Sequence, residues 1–154
     1  MPDAAATEAL GRQIAEALPG DTSGWLVLLK GELGSGKSTL ARALLRQLGV
    51  AGPVPSPTYT LVEPYEVRGR PVYHVDLYRI SGETELPYLG WPDLRQGLVL
   101  VEWPERVAAA AQGADLAIEL DFDGNGRRVS VKALSHRAAG LLHAVTGAPG
   151  PVKS

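Results

Sequence analysis

The chain has 154 residues and a formal net charge of −2, from 15 Lys and Arg against 17 Asp and Glu. This length predicts one domain, and the acidic balance argues against a protein that binds nucleic acid through its own basic surface. The absence of cysteine excludes disulfides, thiolate metal sites and thiol nucleophiles, and no apolar run approaches the ~20 residues of a membrane helix.

The first third of the chain predicts a helix, a strand and a second helix. Apolar residues at helical spacing indicate a helix over Thr7–Leu18, with Thr7 as its cap. A continuously apolar stretch predicts a buried strand over Gly24–Lys30. A glycine-rich turn follows over Gly31–Gly36, and the next periodic helix ends at Leu48.

The remaining elements alternate strands with short helices. The pattern predicts strands at Tyr59–Val67, Pro71–Leu77 and Leu98–Val101, and short helical turns at Glu83–Leu94, with Pro87 as a breaker, and at Val107–Ala111. A hairpin is expected from Leu116–Phe122 and Arg127–Leu134, followed by a helix over His136–Val145. This order favours α/β architecture with a mixed sheet, in a single domain over residues 1–146 with a flexible tail at 147–154.

The strongest motif is Gly31–Ser38, which matches the P-loop pattern G-x-x-x-x-G-K-[S/T] between a predicted strand and a predicted helix. Glycines let the backbone wrap around phosphates, and the helix directs its positive end at the same anion. The pattern assigns Lys37 to the β- and γ-phosphates and Ser38 to Mg²⁺. An accidental glycine-rich turn is the alternative, and the flanking elements argue against it. We therefore expect a P-loop NTPase-like mixed central sheet, flanked by helices and carrying a C-terminal hairpin.

Two carboxylates lie at the ends of predicted strands and are candidates for the metal-binding acid of such a site. Glu102 directly follows the apolar strand Leu98–Val101, and Asp76 follows Val72–Val75. A P-loop site needs a carboxylate on a neighbouring strand to hold the metal or its water. We assign Glu102 to Mg²⁺ and Asp76 to a water or to the surroundings of the metal. A solvated carboxylate at a strand end is the alternative for each.

Three further positions have both a functional and a structural interpretation. Thr58, within Ser56–Thr60, offers a hydroxyl that could sense the γ-phosphate, or it belongs to a proline-set turn. Trp103 is either buried packing or a stacking surface for a partner. His74 faces the helices, and the sequence identifies no partner for it. The guanine-specific N-K-x-D pattern is absent, which favours adenine as the base.

Taken together and in this order, five segments resemble the TsaE family (older name YjeE). They are the P-loop, Ser56–Val62, Tyr73–Arg79, Leu89–Gly90 and Val101–Arg106, and the resemblance covers about residues 4–146. It implies an ATPase of tRNA threonylcarbamoyladenosine biosynthesis that binds ATP and Mg²⁺ and hydrolyses ATP weakly alone. It also implies TsaB and TsaD as partners, with TsaD transferring the threonylcarbamoyl group to the adenosine next to the anticodon and TsaE regulating that transferase.

The resemblance also implies roles for individual residues. Mg²⁺ ligands fall on Ser38 and Glu102, the second acid falls on Asp76, and the partner-sensitive tryptophan falls on Trp103. Nucleotide contacts fall on ten positions once the Thr58 hydroxyl is included: Ala4, Gly34, Ser35, Gly36, Lys37, Ser38, Thr39, Thr58, Glu105 and Arg127. The chain departs from the family in having Ser38, where threonine is commoner, and in Pro87, which makes a helix there doubtful.

Three functions remain open at this point. The first is the ATP-dependent accessory protein, with Lys37, Asp76 and Glu102 as its catalytic residues, which would meet tRNA only indirectly through its partners. The second is a small-metabolite kinase, which needs an acceptor pocket and usually has a basic lid, whereas Arg127–Arg128 is the only adjacent arginine pair. The third is a nucleotide-dependent binding module. The N-terminus lacks the pattern of a signal peptide, so we expect a cytoplasmic protein. We also expect the chain to be a monomer in the absence of its partners.

Overall fold

A computed structural model describes residues 4–32, 34–57, 60–124, 126–144 and 152–153. Its α-helices are α1 (Ala4–Ala17), α2 (Lys37–Leu48), α3 (Trp91–Leu94) and α4 (His136–Ala144). Its strands are β1 (Leu26–Gly31), β2 (Val62–Val67), β3 (Arg70–Asp76), β4 (Leu98–Glu102), β5 (Leu116–Asp123), β6 (Gly126–Ala133) and β7 (Val152–Lys153). They form one sheet in the order β2-β3-β4-β1-β5-β6-β7.

The sheet is mixed, as the sequence predicts. Strands β3, β4, β1 and β5 run parallel, whereas β2 pairs antiparallel with β3 and β6 pairs antiparallel with β5 in the expected hairpin. The carboxyl ends of β1, β3 and β4 therefore meet at one edge of the sheet. In open α/β sheets, ligands bind outside this edge.

Two apolar layers cover the sheet. Helices α1 and α2 pack on one face, and α3 with the short 3₁₀ segments covers the other. Strands β1 and β4 are buried on both faces, which explains their continuous apolar runs, Leu26–Leu29 and Leu98–Val101. None of the helices in the described ranges is long and apolar enough to cross a membrane.

Several boundaries differ from those expected. Helix α1 begins at Ala4, so Thr7 lies inside it, 2% exposed, and is not its cap. Strand β2 begins at Val62, three residues later than predicted. Pro87 lies within a 3₁₀ helix over Glu83–Leu89, and α3 begins after Gly90. A proline removes one N–H donor, so a segment that contains it favours short turns over a continuous α-helix.

Helices α1 and α2 approach each other closely at Gly11. A Cβ on Gly11 would lie 2.6 Å from the carbonyl oxygen of Leu40 and 3.0 Å from the Cβ of Ala43. Because the first contact is backbone, α1 would have to move away from α2. We expect Gly11→Ala to lower the free energy of unfolding by about 1–3 kcal/mol, as overpacked cores do.

The matched control is Gly140→Ala in α4, where an added Cβ meets no atom within 4 Å. There the same substitution is expected to raise stability by roughly 0.5–1 kcal/mol, because alanine loses less conformational entropy in a helix. Urea unfolding of both variants gives the comparison. Equal effects of the same sign would contradict a specific contact at Gly11.

Candidate functional site

The glycine-rich segment lies at the carboxyl edge of the sheet, between β1 and α2. Gly31 has a φ of 147°, and a Cβ there would lie 2.4 Å from the carbonyl oxygen of Leu120. Only glycine fits this position, because the neighbouring atom is backbone. Helix α2 begins at Lys37, so the N–H groups of its first turn have no acceptor within the helix. These donors and the helix dipole suit an anion.

Lys37 lies within this turn and is only 5% exposed. Its ammonium donates to the carbonyl oxygen of Gly31 and, at 3.4 Å, to that of Glu32. The Nζ atom also lies 3.8 Å from the centroid of the Trp103 ring. Burial lowers the pKa of Lys37, and the negative charges around it oppose that shift: Glu102, Glu105, Asp76 and Glu32.

Two carboxylates and one hydroxyl converge beside Lys37. Asp76 and Glu102 occupy paired positions at the ends of β3 and β4, and both are at least 95% buried. The Ser38 hydroxyl lies 3.2 Å from Glu102 Oε2 and 3.4 Å from Oε1. The N–H of Tyr78 donates to Asp76 Oδ1 at 2.9 Å. The predicted strand-end acids thus lie together, next to the first turn of α2.

His74 is a member of this cluster that sequence analysis left without a partner. Its Nε2 lies 2.6 Å from Glu102 Oε2 across the β3–β4 pair. The local signal in the sequence for this role is its position two residues before Asp76 on a strand, because that spacing places both side chains on one face.

Trp103 follows β4 and extends the cluster toward the surface. Its φ of 61° is rare for a bulky residue, and such strain concentrates at functional sites. Its ring centroid lies 4.8 Å from that of Tyr78, which is 38% exposed. The Arg106 guanidinium lies 4.9 Å from the Tyr78 ring. A stack of cations and aromatic rings therefore connects Lys37 with the exterior.

A cavity of about 220 Å³ lies between the glycine-rich segment and the ends of β3 and β4. Its lining contains the P-loop residues together with both carboxylates and the tryptophan: Glu32, Gly34, Ser35, Gly36, Lys37, Ser38, Thr39, Asp76, Glu102 and Trp103. A larger open groove of about 540 Å³ runs along α1 and α2, and Glu8 is the one carboxylate among its described lining residues. The burial of two carboxylates and a lysine in its lining, rather than volume, marks the smaller cavity as the site.

The remaining predicted site residues lie around this cavity or outside the described residues. Ala4 begins α1, and Thr7, one turn later, packs against the P-loop, since a Cβ on Gly36 would lie 3.4 Å from Thr7 Cγ2. Glu105 is exposed in the 3₁₀ helix Pro104–Arg106, and its charge acts on Lys37. Arg127 lies in β6, but its side chain, like the whole of Thr58, lies outside the described residues.

The donor set fits Mg²⁺ bound together with phosphates. No cluster of three or more His, Cys, Asp and Glu side chains in the described part of the chain could hold a metal by itself. Mg²⁺ usually takes one or two protein carboxylates and completes its shell with water and substrate phosphates. Ser38 and Glu102 provide such a partial set of oxygens beside the helix N-terminus.

Comparison with known proteins decides the family. The model of the family "Threonylcarbamoyl adenosine biosynthesis protein TsaE" matches residues 1–129. The chain belongs to the TsaE family. The TsaE of Haemophilus influenzae is 36% identical over 121 residues, which span 77% of each chain. The TsaE of Synechocystis is 42% identical over 113 residues, which span 70% of this chain and 69% of that one.

The fold of this TsaE-family chain also matches a solved structure. The crystal structure of YdiB from Bacillus subtilis superposes with a TM-score of 0.72, covers 96% of this chain and 91% of its own, and is 24% identical in sequence. This similarity confirms the predicted P-loop NTPase-like α/β fold. The family's name associates TsaE proteins with tRNA threonylcarbamoyladenosine biosynthesis.

Proposed function

We propose that this chain binds ATP with Mg²⁺, hydrolyses it slowly alone, and serves threonylcarbamoyl modification of the tRNA adenosine next to the anticodon with a TsaB–TsaD pair. The observation that carries the proposal is the convergence of Lys37, Ser38, Asp76 and Glu102 in one cavity at the carboxyl edge of the sheet. The pathway follows from membership of the TsaE family.

The P-loop residues bind the phosphates in this proposal. The first-turn N–H groups of α2, from Lys37 to Thr39, donate to phosphate oxygens, because the helix offers them no acceptor. Lys37 exchanges the carbonyl oxygens of Gly31 and Glu32 for the β- and γ-phosphates. Its ammonium then counters the charge that develops on the transferred phosphoryl group.

The oxygens of Ser38 and Glu102 would hold the Mg²⁺ ion. When bound, the ion would neutralise part of the negative charge of the phosphates. Glu102 is almost fully buried, so water screens its charge weakly and its attraction for a cation is strong.

Asp76 positions the attacking water. Its Oδ1 already accepts the N–H of Tyr78, which fixes the direction of the carboxylate. Its place beside Glu102 in the strand register brings it to the same cavity. Asp76 accepts a hydrogen bond from the water and so directs the oxygen toward phosphorus.

Partner stimulation is the test of this function. Lys37 is the one cation among the described residues that line the cavity. A cationic group supplied in trans raises phosphoryl-transfer rates by roughly 10³–10⁵-fold in other P-loop proteins. We expect a TsaB–TsaD pair to raise kcat for ATP hydrolysis by at least about tenfold, and an Asp76→Asn variant to lose that increase while it still binds ATP.

Phosphate release by the purified chain, alone and with TsaB–TsaD, gives the measurement. The matched control is Asp93→Asn, an exposed acid on α3 away from the cavity, which is expected to behave as wild type. Transfer of the phosphoryl group to an added metabolite, instead of release of inorganic phosphate, would favour the kinase. Tight ATP binding without hydrolysis, even beside the partners, would favour the binding module.

One observation weighs against the kinase. Its arginine-rich lid would have to come from Arg127–Arg128, and both residues lie in β6, paired in register with Phe122 and Asp121 of β5. The Nη2 atom of Arg128 lies 3.6 Å from Oδ2 of Asp123. A strand held in a hairpin does not provide the movable loop that a lid requires.

A further inference from the structure

His74 is a buried polar side chain for which the proposed function provides no role. It is 2% exposed and lies on the α1–α2 face of β3, the same face as Asp76. Its Nε2 contacts Glu102 Oε2 at 2.6 Å, although the two residues are 28 positions apart in the chain. The contact joins β3 to the acid that ends β4.

The direction of this hydrogen bond follows from its acceptor. An ionised carboxylate only accepts, so Nε2 of His74 carries the hydrogen and donates it to Glu102. The other ring nitrogen, Nδ1, is buried and has no hydrogen-bond partner among the described residues. A ring selected for packing alone would be better served by an apolar side chain, because a buried unpaired nitrogen is unfavourable.

Glu102 is consequently held from two sides. Ser38 on α2 contacts both carboxylate oxygens, at 3.2 and 3.4 Å, and His74 on β3 contacts Oε2. The terminal torsion of a glutamate is broad, so one contact leaves the plane of the carboxylate free to turn. A second contact from another element fixes it.

We propose that His74 is a positioning residue that gives the site its affinity for a divalent cation. Its Nε2–H holds one oxygen of Glu102 so that the carboxylate faces Ser38. The inference rests on the proposed function, because it requires Glu102 to hold Mg²⁺. Hydrogen-bond partners of metal-binding carboxylates typically affect metal affinity or activity by about 10–100-fold.

Two variants of equal side-chain length separate positioning from packing. His74→Gln keeps an N–H donor near the position of Nε2, whereas His74→Met removes it. We expect His74→Met to raise the Mg²⁺ concentration for half-saturation of ATP binding by about 10–100-fold. His74→Gln is expected to stay within about threefold of wild type by the same reasoning. ATP affinity in EDTA is expected to be the same in all three proteins.

The outcomes distinguish this inference from the function on which it rests. An unchanged Mg²⁺ requirement in His74→Met, in a wild-type protein that binds Mg²⁺ and ATP, would overturn the positioning role alone. A wild-type chain that binds no ATP in the presence of Mg²⁺ would overturn the proposed function first. An equal loss in His74→Gln and His74→Met would show that packing, and not the donor, matters.

Nuclear magnetic resonance tests the inference on the wild-type chain, so the result does not depend on whether a variant folds. Long-range ¹H–¹⁵N spectra of the histidine rings report which nitrogen carries the hydrogen. We expect Nε2 of His74 to carry it, and its signal to shift further with Mg²⁺ and ATP than with ATP in EDTA. A hydrogen on Nδ1 alone would overturn the inference, because a bare Nε2 cannot donate to a carboxylate.

Discussion

Replacement of Lys37 by methionine is expected to lower kcat for ATP hydrolysis by about 10²–10³-fold, the usual effect of removing one charge-stabilising donor from an active site. Lys37 is almost fully buried, and carboxylates surround its ammonium. Methionine retains the length and the packing of the side chain but cannot donate to phosphate. The loss should therefore be much larger in kcat than in the midpoint of thermal unfolding.

The control is Lys132→Met, which removes the same charge from an exposed position on β6. Phosphate release and thermal unfolding of both variants, with and without TsaB–TsaD, make the comparison. Hydrolysis by Lys37→Met within twofold of wild type would exclude Lys37 from the chemistry and with it the phosphate-binding role of the loop.

Replacement of Asp115 by alanine is expected to produce the largest loss of stability. Asp115 precedes β5 at the end of the sheet opposite the P-loop and is 2% exposed. It accepts four hydrogen bonds: from Leu26 N at 3.0 Å, Ser135 Oγ at 2.7 Å, and Arg137 Nε and Nη2 at 2.8 and 3.0 Å. These bonds attach the start of α4 to the two central strands β1 and β5.

Loss of one partner from a buried ion pair costs about 3–5 kcal/mol. Arg137 is half exposed, so its guanidinium can hydrogen-bond to water in the variant. We therefore expect a loss of about 3 kcal/mol in the free energy of unfolding, mainly because the N–H of Leu26 loses its acceptor. For a chain of this size that corresponds to a fall in the thermal midpoint of roughly 6–12 °C. Asp123→Ala, at an exposed acid, should change stability by less than about 0.5 kcal/mol.

The same carboxylate is expected to make the stability of the protein fall at low pH. Burial raises the pKa of Asp115, but the hydrogen bonds from Arg137, Ser135 and Leu26 outweigh it, and the pKa falls below its ordinary value of 3.8. The contribution of the ionised Asp115 to the free energy of unfolding is complete above pH 3.8. It is lost as the pH falls through the lower pKa that this group has in the folded state. The stability difference between wild type and Asp115→Asn should shrink in that range, and a constant difference would contradict the ion pair.

Much of this protein was determined by local sequence. The P-loop, the continuously apolar strands and the acids directly after them were all predictable, because glycine spacing and periodicity express local backbone chemistry. The convergence of Asp76 and Glu102 also followed, since parallel strands bring their carboxyl ends to one edge. The start of α1 was wrong by three residues, because burial of Thr7 against the P-loop, rather than its capping ability, decides its place.

Tertiary structure alone decided two further contacts between side chains that are distant in the chain. His74 bonds Glu102 across 28 positions, and Arg137 bonds Asp115 across 22. Neither pair has a spacing that a helix or a strand would produce, because the register of β3 against β4 and the packing of α4 set both contacts. Sequence thus determined the P-loop motif and the candidate metal acids, and the register of the sheet determined how Glu102 is held.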